Sequence, residues 1–105
     1  MLYIIYQEDR LDGAAVRAAT REAHFAYLKE HDDILVLGGA LLAGDDDATR
    51  TGSVLIVNVP NRAAAERFSE HEPFRRAGLF KSVTISRMRR GQWNPHAAPK
   101  TAEGN

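Results

Sequence analysis

The 105-residue chain contains no cysteine. Disulfides and thiolate metal sites are therefore excluded, and nothing suggests a stapled secreted scaffold. It also lacks net charge, because fourteen basic and fourteen acidic residues cancel. No global field then draws the chain towards nucleic acid or a membrane surface. Long hydrophobic runs are missing at the N-terminus, where the apolar stretch Leu2 to Tyr6 has no basic segment before it. This is too short for a signal peptide core or a membrane span and has the length of a strand. There is no internal repeat at a solenoid period. Length and composition point to one domain with room for a real core, without membrane contact and cytoplasmic by default.

What is present reads as alternating strands and helices. Leu2 to Tyr6 is a β-favouring run. From Ala14 to His31 the residues Val16, Thr20, Ala23, His24, Tyr27 and His31 fall on one side of a helix at about 100° per residue, with Asp12 placed to cap it. Ile34 to Leu37 resumes an apolar run, broken by Gly38-Gly39, and a glycine pair in a strand marks a bulge or a close backbone approach. Gly44 to Arg50 reads as a polar connection longer than a two-residue turn, and Ser53 to Val59 as the next strand. Asn61 suits the cap of a second helix through Glu70. Pro73 then reads as the end of that helix, and Phe74 to Leu79 as a connection with Gly78 at its turn. Val83 to Met88 makes the last strand. Residues 91–105 have three glycine or proline breakers before Lys100 and read as a flexible tail.

This order is strand, helix, strand, strand, helix, strand. It predicts an α+β, ferredoxin-like sandwich in residues 1–90, with a four-stranded antiparallel sheet and both helices on one face. The strands are apolar on both sides: Tyr3 and Ile5 alternate with Leu2, Ile4 and Tyr6, and Val54 and Ile56 with Leu55 and Val57. Two helices cover one face. Each large side chain left wet on the other forfeits about 1.5–3 kcal/mol, so a second copy packed sheet to sheet is expected, making a homodimer.

His24 is the foremost candidate for chemistry, since imidazole titrates near neutrality. It has two readings, an inert histidine at the core edge and a general acid or base. Arg21 precedes it by one helical turn. Glu72, in His71-Glu72-Pro73-Phe74, is read at the end of the second helix, where the helix dipole does not favour a carboxylate. It is either a solvated acid or the group that fixes the tautomer of a nearby imidazole. Metal-binding patterns are absent: His71-Glu72 lacks the zinc-protease spacing, and Asp45-Asp46-Asp47 lacks the ligand alternation of a calcium loop. The Gly38-Gly39 pair lies within a strand and is not a phosphate loop. Lys81, Arg87, Arg89 and Arg90 add local positive charge, but Ser53 to Val59 carries no aromatic on which RNA bases would stack, so nucleic acid is not an expected partner. Trp93 is expected to pack on a sheet edge or a partner subunit.

Taken together, MLYIIY, Arg21-Glu22-Ala23-His24, Gly52-Ser53, Glu72-Pro73-Phe74 and Ala77-Gly78-Leu79 make the chain resemble the YCII-related (YciI-like) family over about residues 1–90. The resemblance implies a dimeric α+β barrel and a pocket holding a histidine and an acid, which fall on His24 and Glu72. The acid is one methylene longer than the family aspartate. Arg21 and Ser53 also match, as binding positions for an anionic or hydroxylated ligand. One branch of the family looks like lyases that eliminate chloride from chlorinated hydroxyquinols. The implied function is a small-molecule lyase or isomerase using a His–carboxylate pair with neither metal nor cofactor. The alternative is a non-catalytic dimeric module that binds a small ligand. Haem-using or cofactor-free monooxygenases share the dimeric barrel, but no residue signature here favours them.

Overall fold

The computed structural model describes residues 1–105. Its elements are β1 (Leu2–Asp9), α1 (Ala14–Glu30), β2 (Leu35–Gly44), β3 (Asp47–Asn58), α2 (Arg62–Glu70), α3 (Pro73–Arg76) and β4 (Phe80–Met88), followed by a short 3₁₀ turn at Pro95–Ala97. The strands form one open antiparallel sheet in the order β2-β3-β1-β4. This is the ferredoxin-like arrangement expected from the element order. No helix is long and apolar enough to cross a membrane.

Period-two alternation sends Tyr3, Ile5, Leu55 and Val57 to one face, where they meet Ala65 and Phe68 of α2 and Tyr27 and Leu28 of α1. Both helices therefore cover the same side of the sheet. Ile5 and Val57 are fully sealed, and each such side chain contributes about 1.5–3 kcal/mol by leaving water. On the opposite face Leu2, Ile4, Val54 and Ile56 are only half-buried, and Tyr6, Leu37 and Met88 are exposed.

Asn61 caps α2 as expected, its side chain accepting from the Ala64 amide at 2.9 Å. Asp12 does not cap α1. The cap is Gly13, which has no side chain to donate or accept, while the exposed Asp12 carboxylate lies 3.7 Å from Arg10 Nε; a Cβ on Gly13 would lie 2.7 Å from Leu79 Cδ1. The β2–β3 connection is also tighter than expected. Gly44 pairs with Asp47, leaving only Asp45-Asp46 as the turn. The polar residues from Asp47 to Arg50 thus belong to the ladder, since an edge hairpin tolerates polar side chains in water. β4 likewise starts at Phe80 rather than Val83, extended by pairing with Glu8 and Asp9.

The largest local correction concerns Pro73. It does not end a helix but opens one, occupying the first turn of α3, where its missing N–H costs nothing. α2 stops three residues earlier, at Glu70. Gly78, at φ +76°, takes the left-handed conformation just after α3, and the Leu79 amide folds back onto the Phe74 carbonyl at 3.1 Å.

Candidate active site

Placing Pro73 at the start of α3 changes the setting of Glu72. It is the N-cap residue of α3, not a helix-end acid, and its carboxylate accepts from the Phe74 amide at 3.1 Å and the Arg75 amide at 3.3 Å. A negative charge is favoured here by the free amides of the first turn. The side chain is completely buried. Its extra methylene still lets Oε1 reach His24, whose Nδ1 lies 2.5 Å away. A carboxylate only accepts, so Nδ1 carries the proton and donates it.

His24 is the one buried residue of α1. Its ring stacks on Phe74 at 3.9 Å between centroids, 16° from parallel. With Nδ1 engaged and the ring face covered, Nε2 is the nitrogen left for a ligand. His24 lines a cleft of about 500 Å³ between α1 and the β2–β3 hairpin, together with Arg17, Arg21, Phe25, Leu28, Gly38, Gly39, Ala40, Arg50, Ser53, Leu55 and Phe74. His24, Arg21 and Ser53 therefore share one cavity, with Glu72 directly behind the histidine.

Several pocket residues lie outside the sequence reading. The helix stripe is rotated by about one residue from the expected set: Arg17, Arg21, His24 and Leu28 face the cleft, while Ala23 is exposed. Their spacing of four, three and four is itself a helical pattern that points to this face. Arg17 is held by Asp9 through a bidentate pair at 2.8 and 2.9 Å, and its guanidinium lies 4.7 Å from the Phe74 centroid. Phe74 is thus sandwiched between Arg17 and His24. Arg50 reaches the cleft from β3, a position that depends on the hairpin register and leaves no signal in the sequence. Beneath the cleft, wholly buried Gln7 donates from Nε2 to Ser53 Oγ at 2.9 Å.

Of the glycine pair, Gly38 is the one under spatial constraint: an added Cβ would sit 2.8 Å from Leu55 Cδ2, whereas Gly39 has open space. Across the helix layer, Tyr27 donates to the Phe68 carbonyl at 2.8 Å. Burial pushes its phenol pKa up, and the negative charges of Glu72 and Glu30 push it the same way.

A histidine held by a buried carboxylate, with its other nitrogen beside a cleft with cationic walls, has the chemistry to take up or give a proton. The family model for the YCII-related domain matches residues 1–89, and the chain belongs to that family. Protein YciI of Escherichia coli O6:H1 is 33% identical over 91 residues, covering 81% of this chain and 93% of the relative. An uncharacterized protein of Haemophilus influenzae is 32% identical with the same coverage. Among solved structures, the chain is similar to 5-chloro-2-hydroxyhydroquinone dehydrochlorinase (TftG) from Burkholderia phenoliruptrix AC1100, in complex with 2,5-dihydroxybenzoquinone. The TM-score is 0.79 at 36% identity, covering 87% of this chain and 96% of the other.

Proposed function

We propose that this protein is a small-molecule enzyme of the lyase or isomerase class, with His24 moving the proton and Glu72 holding the imidazole. The observation that carries this reading is the 2.5 Å contact between His24 Nδ1 and a fully buried Glu72, with His24 lining the cleft. In an elimination, Nε2 takes a proton from the substrate, and the freed electron pair forms the new π bond as an anion such as chloride departs. The imidazolium then returns its proton to water. In an isomerisation the same nitrogen gives the proton back at another atom. The dehydrochlorinase similarity supports the elimination branch.

The test is chloride release from 5-chloro-2-hydroxyhydroquinone, with related halogenated and unhalogenated hydroxyquinols as a panel. His24→Gln is expected to lower turnover by at least about 10²-fold, the usual contribution of a positioned acid–base group. Equal rates for the wild-type and variant proteins would remove His24 from the mechanism. Binding of 2,5-dihydroxybenzoquinone without turnover of any panel member would instead favour a non-catalytic binding module.

The working unit in this reading is a homodimer, closed over the outer sheet face. Support comes from that face, where Tyr6 is 41% and Leu37 62% exposed beside half-buried Ile4 and Ile56. Light scattering on a sizing column should give twice the chain mass, and Tyr6→Lys should shift the population to monomer while keeping the far-ultraviolet spectrum. A wild-type monomer at micromolar concentration would contradict the pairing.

A further inference from the structure

We propose that the cleft is built for a small organic anion, held through Arg21, Arg50 and Ser53, and that the negative charge of the ligand decides binding. This names the substrate class of the proposed acid–base site and rests on that reading only for the identity of the cleft.

Every lining side chain that carries charge at neutral pH is a guanidinium, and none is a carboxylate. The three arginines differ in commitment. Arg17 is neutralised by Asp9 in a bidentate pair and is only 13% exposed, so its charge is already spent. Arg21, on α1, is exposed, and its side chain takes part in no ion pair or hydrogen bond within the chain. Arg50, on β3, contacts only the carbonyl of Ala48, at 2.8 Å, and is also exposed. Two uncommitted cations thus face one cavity from different walls.

Ser53 adds a directed donor. A hydroxyl can donate once and accept twice, and here Gln7 Nε2 already fills an acceptor position at 2.9 Å. Gln7 is completely buried and Ser53 is 4% exposed, so this contact is shielded from solvent. With the Gln7 amide so oriented, its Oε1 is buried without a partner, the hydroxyl hydrogen is left for a ligand, and Ser53 lines the cleft. The polar side chains therefore offer the ligand donors, with His24 Nε2 as the acceptor. A ligand that suits this set presents anionic oxygen to the donors and one removable proton to the histidine. Enolates, phenolates and carboxylates bearing an acidic hydroxyl have that form. The same donors would hold the charge that develops when His24 removes the proton.

Calorimetric titration with matched pairs tests the proposal. The pairs are 2,5-dihydroxybenzoquinone against its dimethyl ether, protocatechuate against 3,4-dihydroxybenzamide, and salicylate against salicylamide. At least one anion should bind about 10-fold or more tightly than its neutral partner, and added salt should weaken it. Arg21→Gln and Arg50→Gln should each cost about 10-fold in affinity for that anion, the usual loss of a charge-assisted hydrogen bond. Both sites are exposed, so folding should survive, and circular dichroism checks it. Equal binding within every pair, no binding in any pair, or full affinity in both arginine variants overturns the proposal. His24→Gln separates it from the catalytic reading, because that variant should keep the anion preference while losing turnover.

Discussion

Glu72→Gln should reduce turnover by about 10²–10⁴-fold, the range for loss of an oriented base, and should also lower stability. The substitution keeps shape and removes charge, but neither orientation of the amide satisfies its neighbours. If the amide oxygen takes the place of Oε1, it still accepts from His24 Nδ1 and the Phe74 amide, and the NH₂ group then meets the Arg75 amide, donor against donor. If the amide is flipped, its NH₂ group faces both the Phe74 amide and Nδ1. The histidine must then move its proton to Nε2, where the base is needed. Since Glu72 is fully buried, an unmet donor there costs about 1–3 kcal/mol. Steady-state kinetics and thermal unfolding on the same sample check both parts. Unchanged kcat would separate Glu72 from catalysis even if stability fell.

Gly52→Ala is expected to be the most damaging small substitution in the sheet. An added Cβ would lie 2.1 Å from the Gln7 carbonyl oxygen, with Gln7 C at 3.2 Å and Glu8 Cα at 3.3 Å. These are backbone atoms of the central strand, so no rotamer change relieves the overlap. β1 and β3 would have to separate where Glu8 pairs with Gly52. We expect a loss of about 3 kcal/mol or more, the upper range for overpacking, measured by urea unfolding. The effect should also reach the cleft. Ser53 is the next residue, and the Gly52 carbonyl accepts from Arg17 at 3.3 Å. Stability within about 0.5 kcal/mol of wild type, the range of an unconstrained surface site, would mean that the strands part without cost.

The strand and helix order was legible because the apolar, β-favouring runs of Leu2–Tyr6 and Ser53–Val59 and the helical spacing after Gly13 are local properties. His24 and Glu72 were legible as residues, through their place in short motifs, but the setting of Glu72 was not. A proline after a helix reads equally as the end of that helix or as the first turn of the next, and sequence alone favoured the first. The choice is made by tertiary packing, with Phe74 buried under α1 and the carboxylate pulled into the first turn of α3. Asp12 does not cap α1 because the helix begins one residue later, after Gly13, and the Asp12 carboxylate lies beside Arg10. Arg50 was invisible because its wall position follows from the register shifts on either side of Leu42. Arg17 could have been found, since it lies seven residues before His24 on the same helical face.

Beside the packing of Tyr27 and Leu28 on the core, α1 is fastened by polar ties: His24 to Glu72, Arg17 to Asp9 and Tyr27 to the Phe68 carbonyl, with His24 as its one buried residue. The group offered to the ligand is therefore also a rivet of the scaffold. Random variation at these positions will lower cellular abundance and impair chemistry together, and a survey scoring only growth would conflate the two. By the same geometry, only an acid at position 72 can both clasp the imidazole and start a helix with the same two oxygens.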